Sequence, residues 1–551
     1  MSSASRRVDA CTRAALARRG AMVLIVVLVV IALLSLAALT FAELMLAERQ
    51  AADLSVRQAQ ARAAAESGIE MARIFLAQDP QSQLDAGACY DNPALFRAVV
   101  VNPEQLGGGE GQAYAAGAAR HRSRFTLIAP GMQEGSFAGV RFGLEDESAR
   151  LNLNALMFVD QGAAGITPNA ARQILMGLPM MTEDTADAIL DFMDEDEEPR
   201  EFGAEADIYS MLDPPCAPKN GPLDSIEELL VVPGVTPALL FGLDVNHDGV
   251  IDPGEFEQGL PPEVDPGDGS MDYGWAAYLT LCSLEANVRP DGQPRIYVMQ
   301  EDLQKLYDEL VEALGDEVGK EWGTYIVAYR QFGPMAPNAK PQPNTPRVRT
   351  VAIDFEQKAN PKVIVSTILD LIGSQVQVTS QDKNKKPSSV VLETPFPKEP
   401  LLMAGYLTKM ADYLTANSAP VIPGRININQ ASRIVLSGVP GMTPEILDQI
   451  LSERVPNPAQ ADPSRRYETW LLAEGIVTLE QMKKMIPFIT GGGSVYRVQS
   501  VGYFDEAGGH ARVEAVLNAT TRPPSVVFWR DMSHLGRGYS LETLGVGLLG
   551  E

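Results

Sequence analysis

One twelve-residue stretch has the side-chain types and the spacing of a calcium-binding loop. The segment DVNHDGVIDPGE, residues 244–255, places oxygen-bearing side chains at loop positions 1, 3, 5, 9 and 12 and a glycine at position 6. Oxygen ligands at these intervals wrap one hard cation, so the sequence predicts a Ca²⁺ site; an acidic turn without an ion is the alternative. The expected ligands are Asp244, Asn246, Asp248, the backbone carbonyl of Val250, Asp252 and Glu255.

A second acidic stretch, DFMDEDEEPREFGAEADIY, spans residues 191–209. Its spacing fits no ligand template, and a solvated run of charge is the ordinary interpretation of such a segment. The candidates for a second cation site are Asp194, Asp196, Glu205 and Asp207.

The amino-terminal region contains an apolar run long enough to cross a bilayer. The uncharged stretch 21–42 has about 22 residues, whereas the core of a removable secretory signal has roughly 7 to 15. A retained membrane span is therefore favoured over a signal that is cut off. Because basic residues concentrate on the cytoplasmic side of such spans, the amino terminus is expected in the cytoplasm and the bulk of the chain outside it. These basic residues are Arg6, Arg7, Arg13, Arg18 and Arg19.

The residues directly before this run support a third interpretation. Arg18-Arg19-Gly20 precedes the apolar helix without a break, which resembles the processing site of type IV prepilins and type II secretion pseudopilins. The resemblance implies cleavage by a prepilin peptidase after Gly20, with Ala21 as the first mature residue. Most members of those families carry Glu at the fifth mature position, where this chain has Ile25. A buried carboxylate needs a partner, so its absence is typical of a subunit with no neighbour above it, at a filament tip.

Composition and charge exclude several classes of protein. The 551 residues are 45% hydrophobic, enough for two or more cored domains, and the formal net charge of −26 argues against nucleic-acid binding. No zinc cluster, phosphate loop or nucleophile elbow occurs, so we expect no enzyme. With Cys11 removed in the leader, Cys89, Cys216 and Cys282 are too few for a disulfide framework.

The elements that position these residues indicate an α+β fold. The helix is expected to run on from the span to about Gln78, since the sequence there has many helix formers. Strand-like segments follow at 122–130 and 137–147, and another pair occurs near the carboxyl end at 495–505 and 511–521. We therefore expect one pseudopilin-like sheet whose strands are separated in sequence by everything between them.

The intervening region contains an internal repeat. RLNLNAL at 150–156 and RININQA at 425–431 each lead into helical segments with short turns. These segments resemble helix-hairpin-helix or SAM-like domains, but a Thr replaces the second glycine of the phosphate-binding turn. Because Thr favours a helix N-cap, we expect packing modules rather than DNA-binding ones. The threonines are Thr182, Thr236 and Thr443. Between the copies, 333–347 is predicted to be a Pro-rich linker and 348–396 to contain strands.

Taken together, the order of parts resembles the K-type (GspK) minor pseudopilins of type II secretion. The most specific segments are GAEADIY and NGPLDSIEELLVVPGVT. The resemblance implies calcium bound near Glu205 and Asp207, assembly with I- and J-type minor pseudopilins and the major pseudopilin, and a role in starting and capping a periplasmic pseudopilus anchored in the bacterial inner membrane. The expected division of the chain is 1–20 leader, 21–78 anchor helix, 79–149 first part of the sheet domain, 150–284 helical domain with the loop, 285–420 middle insertion, 421–490 second helix-hairpin-helix domain and 491–551 carboxyl-terminal strands.

The sequence is also compatible with two other functions. A membrane-anchored DNA receptor of competence type would share the anchor and the hairpins, but it would be expected to carry lysines at their turns. An exported calcium-binding adhesive protein would share the loop, but it would have no reason to be cleaved after Gly20. The middle insertion and the loop at 244–255 also depart from the usual family pattern.

Overall fold

The structure is a computed structural model, and it describes residues 4–101, 122–163, 169–336, 345–381, 387–505 and 508–547. A single helix, α1 (Ala4–Ala77), opens the chain. At 1.5 Å per residue it is about 110 Å long. The helix ends within one residue of the predicted end at Gln78. It is unbroken at Gly20 and therefore also includes the predicted leader from Ala4 onward. Its apolar side chains between Met22 and Leu46 are exposed, and among the described residues this is the one helix long and apolar enough to cross a membrane.

The last turns of α1 pack on the sheet through small residues. Ala61, Ala65, Ile69 and Ala72 are buried at intervals of three to four residues, so one helix face meets the sheet. Gly68 allows a close approach, because a Cβ there would lie 2.3 Å from the Ser500 hydroxyl oxygen. Two short helices follow, α2 (Pro80–Asp85) and α3 (Pro93–Phe96).

The first strands of the sheet come next. They are β1 (Val99–Val100), β2 (Ser123–Gln133), β3 (Ser136–Arg141) and β4 (Glu145–Asp146). The single strand predicted at 137–147 is therefore two. The chain breaks pairing near Gly143, where a Cβ would lie 2.2 Å from the carbonyl oxygen of Cys89. A close backbone crossing of this kind leaves no space for a side chain.

The first inserted region starts and ends with short strands that pair in parallel. Its elements are β5 (Leu151–Asn152), α4 (Leu153–Ala163), α5 (Ala170–Leu175), α6 (Glu183–Met193), α7 (Ala206–Tyr209), α8 (Pro237–Phe241), α9 (Pro253–Gln258) and β6 (Leu279–Thr280), with 3₁₀ turns at Glu147–Ala149, Ile226–Val231 and Trp275–Ala277. Leu151 pairs with Leu279, so the region closes on itself.

The middle region is also closed by strands at its two ends. It contains β7 (Leu284–Ala286), β8 (Ile296–Tyr297), α10 (Leu303–Leu314), α11 (Asp316–Phe332), β9 (Arg347–Val348), β10 (Val376–Gln381), β11 (Pro387–Leu392), α12 (Pro400–Met403), α13 (Leu407–Tyr413), β12 (Leu414–Thr415) and β13 (Val421–Pro423), with a 3₁₀ turn at Ile368–Leu371. β7 pairs with β13 and β8 with β12. The strands expected within 348–396 are β10 and β11, which form a hairpin. Most of the predicted Pro-rich linker, 337–344, lies outside the described residues.

The second repeat has the same plan as the first. It contains β14 (Ile426–Asn427), α14 (Arg433–Ser437), α15 (Pro444–Glu453), α16 (Trp470–Ala473), α17 (Leu479–Met485) and β15 (Ile489–Thr490), with a 3₁₀ turn at Pro463–Arg466. β14 and β15 pair in parallel, as β5 and β6 do in the first repeat. The sequence repeat therefore corresponds to two copies of one strand-helices-strand unit.

The chain then returns to the sheet. The last elements are β16 (Val495–Phe504), β17 (Ala511–Asn518), β18 (Ser525–Asp531), a 3₁₀ turn at Ser533–Leu535 and α18 (Leu541–Leu544). The sheet is antiparallel with the order β1-β2-β16-β17-β18, and β3 and β4 pair with β2 and β16. The sheet split in sequence and the α+β fold are thus confirmed. β18 was not predicted as a strand; it is an edge strand whose apolar residues stay partly exposed.

Candidate metal centres

The acidic segment 191–209 is held in place by two buried carboxylates of α6. Asp187 and Asp191, four residues apart on one helix face, are both fully buried. Arg172 donates to the two oxygens of Asp187 at 2.6 and 2.5 Å, and Arg200 donates to Asp191 at 2.7 Å. The chain after α6 is thereby folded back over the helix, with Gly203 packed against the Asp191 carboxylate.

This fold-back brings three predicted ligands together. One carboxylate oxygen from each of Asp194, Asp196 and Glu205 lies within 4.8 Å of the other two. Both oxygens of Glu205 and Oδ1 of Asp194 are buried and have no hydrogen-bond partner. Asp207, the fourth predicted ligand, is exposed on α7 and is not part of this group. Buried carboxylate oxygens without partners are rare unless a cation satisfies them.

The electrostatics of this group fit a divalent cation. Burial, and then the negative charges of Asp191, Asp194 and Asp196, raise the pKa of Glu205 to about 7. Burial also raises the pKa of Asp194. Three hard oxygen ligands with uncompensated negative charge match the donor set that Ca²⁺ takes, whereas no thiol or imidazole is part of the group.

The loop 244–255 is closed into a ring by hydrogen bonds from its own backbone N–H groups to the carboxylates of Asp244 and Glu255. Oε1 of Glu255 accepts the backbone N–H of Val245 at 3.0 Å, which joins the last position of the loop to the second. Asp244 accepts the N–H groups of Asp248 and Gly249 at 3.0 and 2.9 Å. Gly249 has a φ of +74°, the left-handed conformation that the sharp turn at position 6 requires.

Two oxygens of this ring lack partners. Oδ1 of Asn246 and Oδ2 of Asp248 are buried without a hydrogen bond. Asp248 is only 2% exposed, and burial together with the charge of Asp244 raises its pKa to about 7. Asp252, at position 9, is exposed and is the N-cap of α9. The unpaired oxygens at positions 3 and 5 suit an oxygen-coordinated cation, whereas the carboxylate oxygens at positions 1 and 12 accept backbone N–H groups. The Val250 carbonyl stays a prediction from the loop pattern.

The turns of the hairpins do not have the geometry of a phosphate site. The side chains of Thr182, Thr236 and Thr443 each accept the backbone N–H three residues later and so cap the following helix. This confirms the interpretation of these threonines as N-caps. Capped amides are already satisfied and are not available to an anion.

Several groups that shape the two centres were not identified from the sequence. Arg172 and Arg200 neutralise the buried carboxylates of α6, and Arg512 reaches the loop from β17, 265 and 266 positions further along the chain than the residues it contacts. No local pattern identifies such partners. Cys89, Cys216 and Cys282 are free thiols.

These features define a class of protein in which one long apolar helix is followed by an α+β domain, here called the head. The head contains an inserted helical region with converging carboxylates. Residues 149–244, which include the centre formed by Asp194, Asp196 and Glu205, match the family model described as type II secretion system, protein K. The resemblance to K-type minor pseudopilins predicted from the sequence is thus confirmed over this segment.

The chain was also compared with solved structures and with curated proteins. A chain of the crystal structure of the GspK-GspI-GspJ complex from the enterotoxigenic Escherichia coli type 2 secretion system is similar at 13% sequence identity. The similarity covers 86% of this chain and 95% of that one, with a TM-score of 0.32. The comparison with curated proteins found no match.

Proposed function

We propose that this protein is a non-enzymatic minor pseudopilin of a type II secretion system, located at the tip of its pseudopilus. The observation that carries the proposal is the combination of a protein K segment at 149–244 with a helix that is exposed and apolar at 22–46 and packed on a sheet from Ala61 onward. A helix of this design inserts among similar helices through its free half, while the head remains outside the bundle.

The anchor half of α1 supports a single pass through the bacterial inner membrane. The exposed apolar run has the length of a bilayer core, and five arginines precede it. The amino terminus then lies in the cytoplasm and the head in the periplasm. The prepilin peptidase would remove the leader after Gly20 and leave Ala21 at the start of α1.

Position and partners follow from the same resemblance. Ile25 replaces the glutamate that pairs with a neighbouring subunit, which fits the topmost place in a filament. The head is also larger than a single pilin-like sheet, since the two repeats and the middle region are inserted into it. I- and J-type minor pseudopilins and the major pseudopilin are the proposed partners, and the proposed roles are initiation of pseudopilus assembly and export across the outer membrane.

Calcium is the proposed cofactor of the head. Asp194, Asp196 and Glu205 would hold one ion, which would supply the positive charge that their unpaired oxygens lack. The loop 244–255 would hold another. In both places the ion would stabilise the inserted region rather than take part in a reaction.

The test of the function is mass spectrometry of the mature amino terminus from cells that carry the secretion system. We expect a chain that begins at Ala21 with a methylated amino group. A substitution at the cleavage site, Gly20→Val, should block processing and secretion together. A mature chain that begins after Ala42, or an uncut chain in secreting cells, contradicts the proposal.

The test of the metal centre is thermal unfolding of the purified full chain in calcium and in chelator. Calcium is expected to raise Tm in the parent protein, and Glu205→Gln should remove most of this increase. Glu195→Gln, which removes the same charge from an exposed neighbour, is the matched control and should keep the increase. Equal calcium responses in both variants contradict a site at Glu205.

A further inference from the structure

The loop 244–255 is bonded to the sheet through its backbone carbonyls. Arg512 of β17 donates from Nη2 to the carbonyl oxygens of Asn246 and His247, the latter at 3.1 Å. Gln499 of β16 donates from Nε2 to the same His247 carbonyl at 3.2 Å. The loop belongs to the inserted region and its partners belong to the sheet, so these bonds connect two parts of the head.

Tyr539 completes this contact. Its hydroxyl lies 2.6 Å from the carbonyl oxygen of Asp248 and 2.5 Å from Oε1 of Gln499. Tyr539 and Arg512 are buried, at 6% and 0% exposure. Because water does not reach these groups, each hydrogen bond lost here would leave a buried polar atom unpaired.

The same turn therefore has two faces with different partners. Its carbonyls at loop positions 3, 4 and 5 point to the sheet, whereas its side chains at positions 1 and 12 close the ring on the other side. Asp248 takes part in the sheet contact through two groups: its carbonyl meets Tyr539, and the unpartnered Oδ2 of its buried carboxylate lies beside Gly538, next to Nη1 of Arg512. A cation held by the ring would fix the turn that presents the three carbonyls.

We propose that the loop 244–255 is a cation-dependent clasp, in which binding of Ca²⁺ inside the ring and docking of its carbonyls on Arg512, Gln499 and Tyr539 stabilise each other. This second ion site is distinct from the group around Glu205. The inserted region and the sheet are then locked together when calcium is present and loosened when it is removed.

The charges support this coupling. Arg512 is a buried guanidinium whose Nε and Nη1 have no hydrogen-bond partner, so the loop carbonyls are important for its stability in the interior. Asp244 lies close enough to Asp248 and to Glu255 for their negative charges to repel each other, and a cation in the ring would reduce this repulsion. By thermodynamic linkage, any change that weakens docking on the sheet must weaken cation binding by the same factor.

The experiment measures Ca²⁺ affinity by calorimetry on the full chain in detergent micelles, in a Glu205→Gln background that removes the other site. Tyr539→Phe deletes only the hydroxyl that meets Asp248, and we expect the loop to bind Ca²⁺ about fivefold more weakly. The matched control is Tyr503→Phe. It deletes a buried hydroxyl of β16, bonded to the Leu544 carbonyl at 2.7 Å, and should leave the affinity unchanged.

Hydrogen exchange of the same protein provides a second measurement that needs no change at the interface. Calcium should slow exchange of amides in both the loop and β17, and Glu255→Gln should abolish the effect in both. Equal Ca²⁺ affinities of the Tyr539→Phe and Tyr503→Phe variants contradict the proposed coupling. So does calcium protection that stays confined to the loop, or a Glu205→Gln protein that binds no Ca²⁺.

Discussion

The side-chain amide of Asn427 donates a hydrogen bond of 2.8 Å to Oδ2 of Asp146, across 281 positions of the chain. Both side chains are buried. Asp146 also accepts the backbone N–H groups of Gly493 and Ser148 at 2.7 and 2.8 Å. One carboxylate therefore joins the strand before the first repeat, the start of the second repeat and the point where the chain returns to the sheet.

Loss of this carboxylate should weaken the whole head. We expect Asp146→Ala to lower the free energy of unfolding by roughly 3 kcal/mol, because three buried donors lose their acceptor. Denaturant unfolding measures this value. In a double-mutant cycle with Asn427→Ala, the two losses should fall short of additive by about 1 kcal/mol; additivity within about 0.3 kcal/mol would show that the side chains do not interact.

The close packing of α1 on the sheet should reverse the usual effect of a Gly→Ala substitution on stability. Gly→Ala in a helix interior normally stabilises by about 1 kcal/mol. At Gly68 the added Cβ would lie 2.9 Å from both Leu127 and Phe125, so Gly68→Ala should instead destabilise by about 1 to 3 kcal/mol. Ala63→Val, an enlargement at an exposed position of the preceding turn, is the control and should change stability by less than about 1 kcal/mol. A stabilised Gly68→Ala protein contradicts the close packing.

Stability in chelator should depend on pH through Glu205. Its folded-state pKa of about 7 lies above the ordinary value of 4.5, so its contribution is fully present below pH 4.5 and is lost as the pH rises through 7. We expect Tm in chelator to fall between about pH 4.5 and pH 7, and Glu205→Gln to reduce this slope; Asp248, whose pKa is also about 7, contributes to the remainder. Calcium should oppose the fall, since the ion stabilises the ionised carboxylate. The same slope in the parent and the variant would assign the dependence to other groups.

The loop predicts a response to Asp244→Ala in both conditions. In chelator the variant should lose about 1 to 2 kcal/mol, because the buried amides of Asp248 and Gly249 no longer have an acceptor. In calcium the loss should be larger, since a ligand is removed as well. Chemical denaturation with and without calcium separates the loss due to the missing hydrogen bonds from the loss due to the missing ligand. An equal loss in both conditions contradicts a bound ion in the loop.

Features that depend on neighbouring residues could be predicted from the sequence. The threonine caps at 182, 236 and 443 involve groups three residues apart, and the helix α1 follows from propensity and apolar spacing. The repeat marked RLNLN and RININ identified two equivalent units, although not the parallel strand pairs that close them. β18 was missed because its apolar run lies at a partly exposed edge and does not alternate.

The sequence by itself determined the membrane-length helix, the split sheet, the ligand spacing of the loop and the acidic character of 191–209, because each depends on local order or on composition. Only the tertiary structure decided that Asp194 and Asp196 meet Glu205 while Asp207 stays outside, and that Arg512 holds the loop. Such meetings are set by which surfaces are buried against each other. Because burial depends on the whole chain, residues far apart in sequence come into contact without any local pattern that predicts the contact.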